Sequence, residues 1–252
     1  MTPATVATAA TACGSRARQR GISLLVVMIV VLLSSLLALW AFRTSLVNET
    51  IVGNDADYQR AFEAAQAMVQ DAELDIQGAR ADGTACVASA TDVKVCRMGD
   101  TVAYPVEIAD FQRMVTSLKS ADAAAPSCRN GICLMRTGAQ DFWTTQALIQ
   151  PWLVDNVGAR YGEYTGALPA TVGNPLLSER GSTQGAERGA WYWVEVMQYT
   201  ESQSSVITNA DQILALNLDP RVVYRITAVA RGLKPRTQVV LQSTFVRQKL
   251  RN

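Results

Sequence analysis

Histidine is absent from the 252-residue sequence. Its absence excludes Ser-His-Asp and Cys-His nucleophile systems, together with every metal site that uses a histidine ligand. The C-x-x-C motif, which marks thiol redox centres, is absent too. Neither sign of charge dominates, because 23 basic residues stand against 22 acidic ones, and this near-balance gives no support for a nucleic-acid partner. We therefore predict a protein that is not an enzyme and that uses no cofactor and no metal ion.

Charge is also missing from one long segment, residues 22–42 (ISLLVVMIVVLLSSLLALWAF). A helix of this length rises about 31 Å, which matches a hydrocarbon core of roughly 30 Å. Ser34 and Ser35 fit such a helix because each hydroxyl can bond a preceding carbonyl. The segment is too long for a secretory signal that is removed, and no A-x-A cleavage site follows it. We predict a transmembrane helix over residues 22–42.

The charges around this span predict its orientation. Arg16, Arg18 and Arg20 precede it, and no acidic residue lies before it. By the positive-inside rule, the amino terminus is cytoplasmic and the rest of the chain lies across the inner membrane. We therefore expect a single-pass protein whose carboxy-terminal domain is periplasmic.

Residues 43–80 are predicted to continue the same helix as an amphipathic segment. One stripe recurs at spacings of three and four, namely Ile51, Asp55, Tyr58, Phe62, Ala65, Val69, Ala72 and Ile76. Asp57, Asp71 and Glu73 are assigned to the solvent-facing side. Gly53 is the weak point, at which the helix is expected to kink or melt locally.

Four of the five cysteines lie in the globular region predicted over residues 81–252. An even number in a periplasmic domain indicates two disulfides, although four cysteines allow three pairings. We favour the local pairs Cys86–Cys96 and Cys128–Cys133. The second pair encloses Asn130-Gly131, a strong turn signal, which predicts a small hairpin closed by a disulfide. A cysteine-only zinc site is the alternative, but these spacings do not match paired C-x2-C knuckles.

The middle of the globular region is less regular. Residues 105–118 and 141–153 are predicted as short helical or mixed segments. The second of these carries residues that we assign to the core, with a ligand platform as the alternative: Phe142, Trp143, Ile149, Trp152 and Leu153. Residues 158–189 are rich in Gly, Ser, Thr and Pro and are predicted as a long surface loop. This loop is either a contact surface for a partner or an idle insertion, and it holds no phosphate-binding glycine motif.

The carboxy-terminal third has the pattern of β-strands. Three β-branched and aromatic runs cover residues 190–199, 221–232 and 237–247, and a Leu233–Arg236 turn joins the last two. An antiparallel sheet over about residues 190–247 satisfies their alternation. Packed on the amphipathic helix, this sheet gives an α+β fold.

Several phrases of the sequence resemble the PilX-like type IV pilus assembly proteins. They are the junction RQRGISLLV (residues 18–26), the phrase AFEAAQA…DAE (residues 61–73) and the phrase VYRITAVARG…VVLQSTFVR (residues 223–247). The resemblance implies a pilin-like lollipop, in which a long amino-terminal helix packs on the sheet. It also implies a class III leader peptide over residues 1–21. A prepilin peptidase would cut this leader between Gly21 and Ile22 and methylate the new amino terminus at Ile22.

Val26 departs from the general pilin pattern. Most pilins carry glutamate as the fifth mature residue, and the resemblance implies that this carboxylate pairs with the amino terminus of the neighbouring subunit. Counting from Ile22, the fifth residue is Val26. Valine accepts no hydrogen bond and neutralises no charge, so this subunit gains nothing electrostatic by docking beneath an earlier one. It can still offer its own Ile22 amine to a later subunit, which favours a first-placed position at the tip.

These observations predict a minor pilin that helps to prime type IV pilus assembly and lies at or near the tip, acting by packing. The expected partners are other minor pilins, the major pilin, the inner-membrane assembly platform, prepilin peptidase and a tip adhesin. After assembly the protein is expected in the pilus. A type II secretion minor pseudopilin is one alternative. A membrane-anchored periplasmic enzyme is another, with carboxylates such as Asp71 and Glu73 as its only candidate groups.

Overall fold

The computed structural model describes residues 22–87, 93–98, 100, 102–119, 125–154, 156–168, 173–178, 188–198 and 222–247. The predicted leader, with Gly21, lies outside the described residues, as do residues 169–172 and 179–187 of the predicted surface loop. The chain divides into two compact units, the first ending at Val52 and the second beginning at Gly53. Helix α1 (Ile22–Gln77) contributes to both units.

In the first unit, every described residue is helical and exposed. The helix contains a stretch that is long and apolar enough to cross a membrane. Ser34 and Ser35 each donate a hydrogen bond to the carbonyl of Val31, at 3.0 and 2.7 Å. Their hydroxyls are therefore satisfied inside the helix, as predicted, and cost little in an apolar medium.

Helix α1 ends at Gln77, three residues before the end of the predicted amphipathic segment at residue 80. Gly78 adopts the left-handed conformation at φ 68°, which a residue without Cβ does at little cost. The N–H of Gly78 donates to Asp75 O and the N–H of Ala79 donates to Leu74 O, as in a Schellman motif. At Gly53, where a kink was expected, the helix is uninterrupted.

Among its described residues, the second unit contains five strands and three further α-helical segments, joined in part by short 3₁₀ turns. The helices after α1 are α2 (Ile108–Leu118), α3 (Gln146–Ile149) and α4 (Pro175–Ser178). The 3₁₀ turns cover Val95–Arg97 and Gln150–Trp152. The strands are β1 (Cys128–Arg129), β2 (Ile132–Leu134), β3 (Gly189–Gln198), β4 (Val222–Arg231) and β5 (Gln238–Phe245).

The five strands form one sheet in the order β1-β2-β3-β4-β5. All neighbours are antiparallel except β2 and β3, which run parallel. The antiparallel arrangement predicted over residues 190–247 is confirmed for β3, β4 and β5. The cysteine hairpin adds two strands beside β3 and makes the whole sheet mixed. A parallel pair needs a long crossover, and residues 135–188 provide one. The protein has the α+β architecture that the sequence predicted.

The sheet has a buried residue cluster on each face. On one face, the alanines of α1 and Met68 pack against alternate residues of β3 and β4, such as Tyr192, Val194 and Ile226. On the other face, residues of the segment 136–157 cover Trp191, Trp193 and Val229. The second unit therefore consists of a helix, a sheet and an aromatic layer.

Candidate functional site

The sequence assigns Ile22 and Val26 to filament assembly. Both lie in the part of α1 that belongs to the first unit. Ile22 is 72% exposed and Val26 is 50% exposed. The side chain of Val26 has no polar atom, so it can neither carry a charge nor accept a hydrogen bond. Cleavage after Gly21, methylation of Ile22 and the filament role of Val26 stay predictions.

Asp75 is the centre of a buried polar cluster between α1 and the sheet. Its carboxylate accepts hydrogen bonds from Arg97 Nε at 2.9 Å and Arg97 Nη2 at 2.5 Å. The hydroxyls of Tyr104 and Tyr192 donate to the same carboxylate at 3.1 and 2.8 Å. All four residues are less than 9% exposed. A buried carboxylate is tolerated only with such partners.

The protonation states agree with this hydrogen-bond pattern. Burial, and then the negative charge of Asp75, raises the pKa of Tyr104 and Tyr192 well above the ordinary tyrosine value. Both hydroxyls therefore keep their protons and act as donors. Burial lowers the pKa of Arg97, but the effects of its neighbours, led by the charge of Asp75 and including its hydrogen bond, together outweigh burial and raise the pKa overall. The guanidinium also lies over the ring of Tyr164, 3.7 Å from its centroid.

Asp71, one turn before Asp75, fixes a second segment to the helix. Its carboxylate accepts hydrogen bonds from the backbone N–H of Gly162 at 2.8 Å and from the hydroxyl of Thr165. Burial raises the pKa of Asp71 to about 6, and nearby Asp75 adds to the increase, while the two hydrogen bonds oppose it. The part of the predicted surface loop that contains these donors is thus attached to α1.

Asp57 joins the beginning of the second unit to the turn between β4 and β5. It accepts hydrogen bonds from the backbone N–H groups of Leu233 and Lys234 at 2.9 and 3.0 Å. Burial raises the pKa of Asp57, but hydrogen bonds from Thr237 and from these two N–H groups outweigh it, and the pKa is lowered overall. Asp57 is 2% exposed, so the prediction that it faces solvent is wrong.

The sequence carried a signal for these three carboxylates that the prediction missed. The buried residues of α1 are Asp57, Ala61, Ala64, Ala65, Met68, Asp71, Ala72, Asp75 and Ile76. Most are three or four residues apart, so the aspartates belong to the same stripe as the small apolar residues. Ile51, Asp55 and Tyr58, which were assigned to the stripe, are exposed. Acidic residues at the same helical spacing as the alanines therefore indicated a face of α1 on which polar segments of the chain pack.

A second buried ion cluster lies on the other face of the sheet. Glu195 accepts hydrogen bonds from Arg136 Nε at 3.0 Å and from Arg225 Nε at 2.8 Å. Burial raises the pKa of Glu195, but its bonds to Arg136 and Arg225 outweigh this effect and lower the pKa overall. The guanidinium of Arg136 also lies 4.4 Å from the ring centroid of Phe142. This cluster fixes the aromatic layer to the sheet.

The aromatic layer is packed as core rather than open as a ligand platform. Phe142 stacks on Trp152 with ring centroids 4.1 Å apart, and meets Trp193 edge to face at 5.2 Å. Phe142, Ile149, Trp152 and Leu153 are buried, as the sequence predicted, and Trp143 is half-buried. Their role is to cover the outer face of the sheet.

The cysteines form the two local pairs that were favoured, Cys86–Cys96 and Cys128–Cys133, with Cα–Cα distances of 5.5 and 4.1 Å. Asn130 and Gly131 make the turn of the second hairpin, both with positive φ. Within the described residues, no group of three or more acidic or cysteine side chains could hold a metal ion. Asp71 is buried rather than solvating, and its contacts attach a loop.

Comparison with known protein families gives two matches. The family model described as "PilX N-terminal" matches residues 20–70. The family model described as "Type IV pilus assembly protein PilX C-term" matches residues 115–247, which is more than half of the chain. Neither a curated protein nor a solved structure matches the chain significantly.

Proposed function

Because the chain belongs to the PilX family of type IV pilus assembly proteins, we propose that it is a minor pilin that helps to prime pilus assembly and lies at or near the pilus tip. Membership supports the general role of a minor pilin, which is a structural component of the pilus and works with other pilins. The family is not a known enzyme family. The finer assignment depends on the first turns of α1.

The observation that carries the tip assignment is Val26. A charged group on an apolar helix, in a membrane or in a filament core, raises the free energy unless the charge is paired. A docking subunit with a carboxylate at its fifth mature residue gains a partner in the free amine above it. Val26 offers no such gain, whereas the amine of Ile22 remains available to the next subunit. The subunit can therefore form this ion pair with a later subunit but not with an earlier one. This difference supports the assignment of the protein to the first position in the filament.

The proposed maturation supplies that amine. Residues 1–21 act as the leader, prepilin peptidase cuts after Gly21, and Ile22 becomes the methylated amino terminus. Before assembly, residues 22–42 hold the chain in the inner membrane with the second unit in the periplasm. After assembly, the exposed apolar surface of α1 packs against the helices of other pilins. The proposed partners are the major pilin, other minor pilins, the assembly platform and a tip adhesin.

In this proposal the buried carboxylates of the second unit serve its own structure. Asp57, Asp71 and Asp75 fix separate segments of the unit to one face of α1. The work of the protein in this proposal is packing and docking.

The experiment compares Val26→Glu with Val26→Gln, which has a similar size and no charge. Each epitope-tagged variant is expressed at native level, and its position on sheared pili is determined by immunogold electron microscopy. We expect wild type and Val26→Gln at pilus ends and Val26→Glu along the shaft as well. If Val26→Glu keeps the wild-type distribution, the missing carboxylate does not determine position and the tip assignment loses its support.

A further inference from the structure

The two edges of the sheet differ in what they offer to another chain. At one edge, β1 is two residues long and belongs to a hairpin closed by a disulfide. At the other, β5 is eight residues long, and no described strand pairs with its outer side. Edge strands of this length usually carry a charge, a proline or a bulge that prevents further pairing. Strand β5 (QVVLQSTF) has no charged residue and no proline, and its register with β4 is continuous.

The turn before β5 shows which of its backbone groups face outward. The N–H of Gly232 donates to the carbonyl of Thr237, which stands opposite it, at 2.9 Å. Bonded and non-bonded pairs alternate along an antiparallel ladder. The residues whose N–H and C=O groups point away from β4 are therefore Gln238, Val240, Gln242 and Thr244. Gln242 and Thr244 are exposed residues.

The ends of β5 are strongly basic. Residues 231–247, all of which the structure describes, include four basic residues and no acidic one, namely Arg231, Lys234, Arg236 and Arg247. At the turn before β5, the buried carboxylate of Asp57 accepts hydrogen bonds from the backbone of Leu233 and Lys234 and from Arg60 at 3.2 Å. Strand β5 therefore presents an uncharged edge that has basic residues at both ends.

We propose that the outer edge of β5 binds an extended segment of another polypeptide, with an uncharged centre and acidic residues at its ends. Addition of a strand would satisfy the outward N–H and C=O groups, and acidic ends would meet the basic residues that flank β5. A second copy of this chain is disfavoured, because pairing β5 with β5 brings cationic ends together in either orientation. This inference goes beyond the proposed function, since it requires neither the tip position nor cleavage after Gly21.

The test uses the full chain in detergent micelles and a rhodamine-labelled ten-residue peptide, Asp-Asp-(Thr-Val)₃-Asp-Asp. Binding is measured by fluorescence anisotropy. Thr244→Pro removes an outward N–H at an edge position where proline is tolerated, and Thr244→Val keeps that N–H with a side chain of similar size. We expect wild type and Thr244→Val to bind alike and Thr244→Pro to bind at least about tenfold more weakly. Replacing the four aspartates of the peptide by lysine should weaken binding to wild type by at least about tenfold.

A second measurement on the wild type keeps the test independent of how the proline variant folds. Amide hydrogen exchange should slow at Val240, Gln242 and Thr244 when the acidic peptide is added, and remain unchanged at Gly189 and Ala190 of β3. Absence of that protection, equal binding by Thr244→Pro in a folded state, or equal binding of the lysine peptide would each overturn the proposal. A peptide-free dimer in sedimentation that Thr244→Pro dissociates would overturn it in favour of self-association.

Discussion

Arg97 and Asp75, separated by 22 positions in the sequence, form a two-point ion pair between a 3₁₀ turn and helix α1. Both side chains are at most 5% exposed. The carboxylate also accepts from two tyrosine hydroxyls, so the pair connects α1, the 3₁₀ turn and β3 at a single point. The stability of the second unit should therefore depend on this pair far more than on any surface ion pair.

The first prediction concerns Arg97→Gln. Removing the cation leaves Asp75 buried with only its tyrosine donors, and breaking one side of a buried pair costs about 3–5 kcal/mol. We expect that decrease in the free energy of unfolding, measured by urea titration of the full chain in detergent with tryptophan fluorescence as the signal.

Arg113→Gln is the matched control for Arg97→Gln. Arg113 is 78% exposed and pairs with Asp110 on the surface of α2. Exposed pairs contribute about 0–1 kcal/mol, so this variant should unfold close to wild type. Equal losses in the two variants would show that the buried pair is not the main connection between α1 and the sheet.

The second prediction concerns pH and Asp71. Its pKa is raised from 3.8 to about 6 in the folded state, so the folded protein binds more protons than the unfolded one between these values. The contribution of Asp71 to the free energy of unfolding therefore falls as pH rises from about 4 to about 6. A shift of roughly two pKa units corresponds to about 3 kcal/mol.

Asp71→Asn removes this titration and keeps an oxygen that accepts from Thr165 or from Gly162. The wild type should therefore lose stability relative to Asp71→Asn as pH increases across that window. Urea titrations at pH 4, 5, 6 and 7 measure the difference, and Asp82→Asn, at an exposed position, serves as the control. A difference between wild type and Asp71→Asn that does not change with pH would contradict the assigned protonation.

The third prediction contrasts two glycines at the Asp57 contact. A Cβ on Gly232 would lie 2.3 Å from Asp57 Oδ2 and 2.7 Å from Thr237, so Gly232→Ala should cost about 1–3 kcal/mol. A Cβ on Gly53 would meet only the flexible end of Lys234 at 2.6 Å. Because alanine favours a helix over glycine by about 1 kcal/mol, Gly53→Ala should be neutral or stabilising.

Thermal unfolding of both variants measures this contrast. A loss of stability in Gly53→Ala as large as that in Gly232→Ala would mean that Lys234 cannot move aside. The Lys234 contact to Asn54 Oδ1, at 3.0 Å, would then be a fixed part of the turn rather than an adaptable one.

Much of the fold was predictable because its signals are local. The apolar run over residues 22–42, the spacing of Phe62, Ala65 and Ala72, and the alternation in β3, β4 and β5 each depend on neighbours in the sequence. The cysteine hairpin was predictable for the same reason, since the Asn130-Gly131 turn brings its two cysteines together.

The remaining features depend on contacts between distant residues. Nothing near Ile132 indicates that β2 pairs with β3 in parallel, because the partner is more than fifty positions away. The burial of Asp57, Asp71 and Asp75 depends on donors from Leu233, Gly162 and Arg97. A charged residue on a helix is usually solvated, and the sequence shows no sign of the donors that reverse this preference.

The most direct test of the central claim is the mass of the mature amino terminus. The protein is purified from cells with active prepilin peptidase, and its amino-terminal peptide is analysed by mass spectrometry. As a processed pilin subunit that acts by packing, it should begin at a methylated Ile22 and lack residues 1–21. A chain that retains Met1 in those cells would contradict this account.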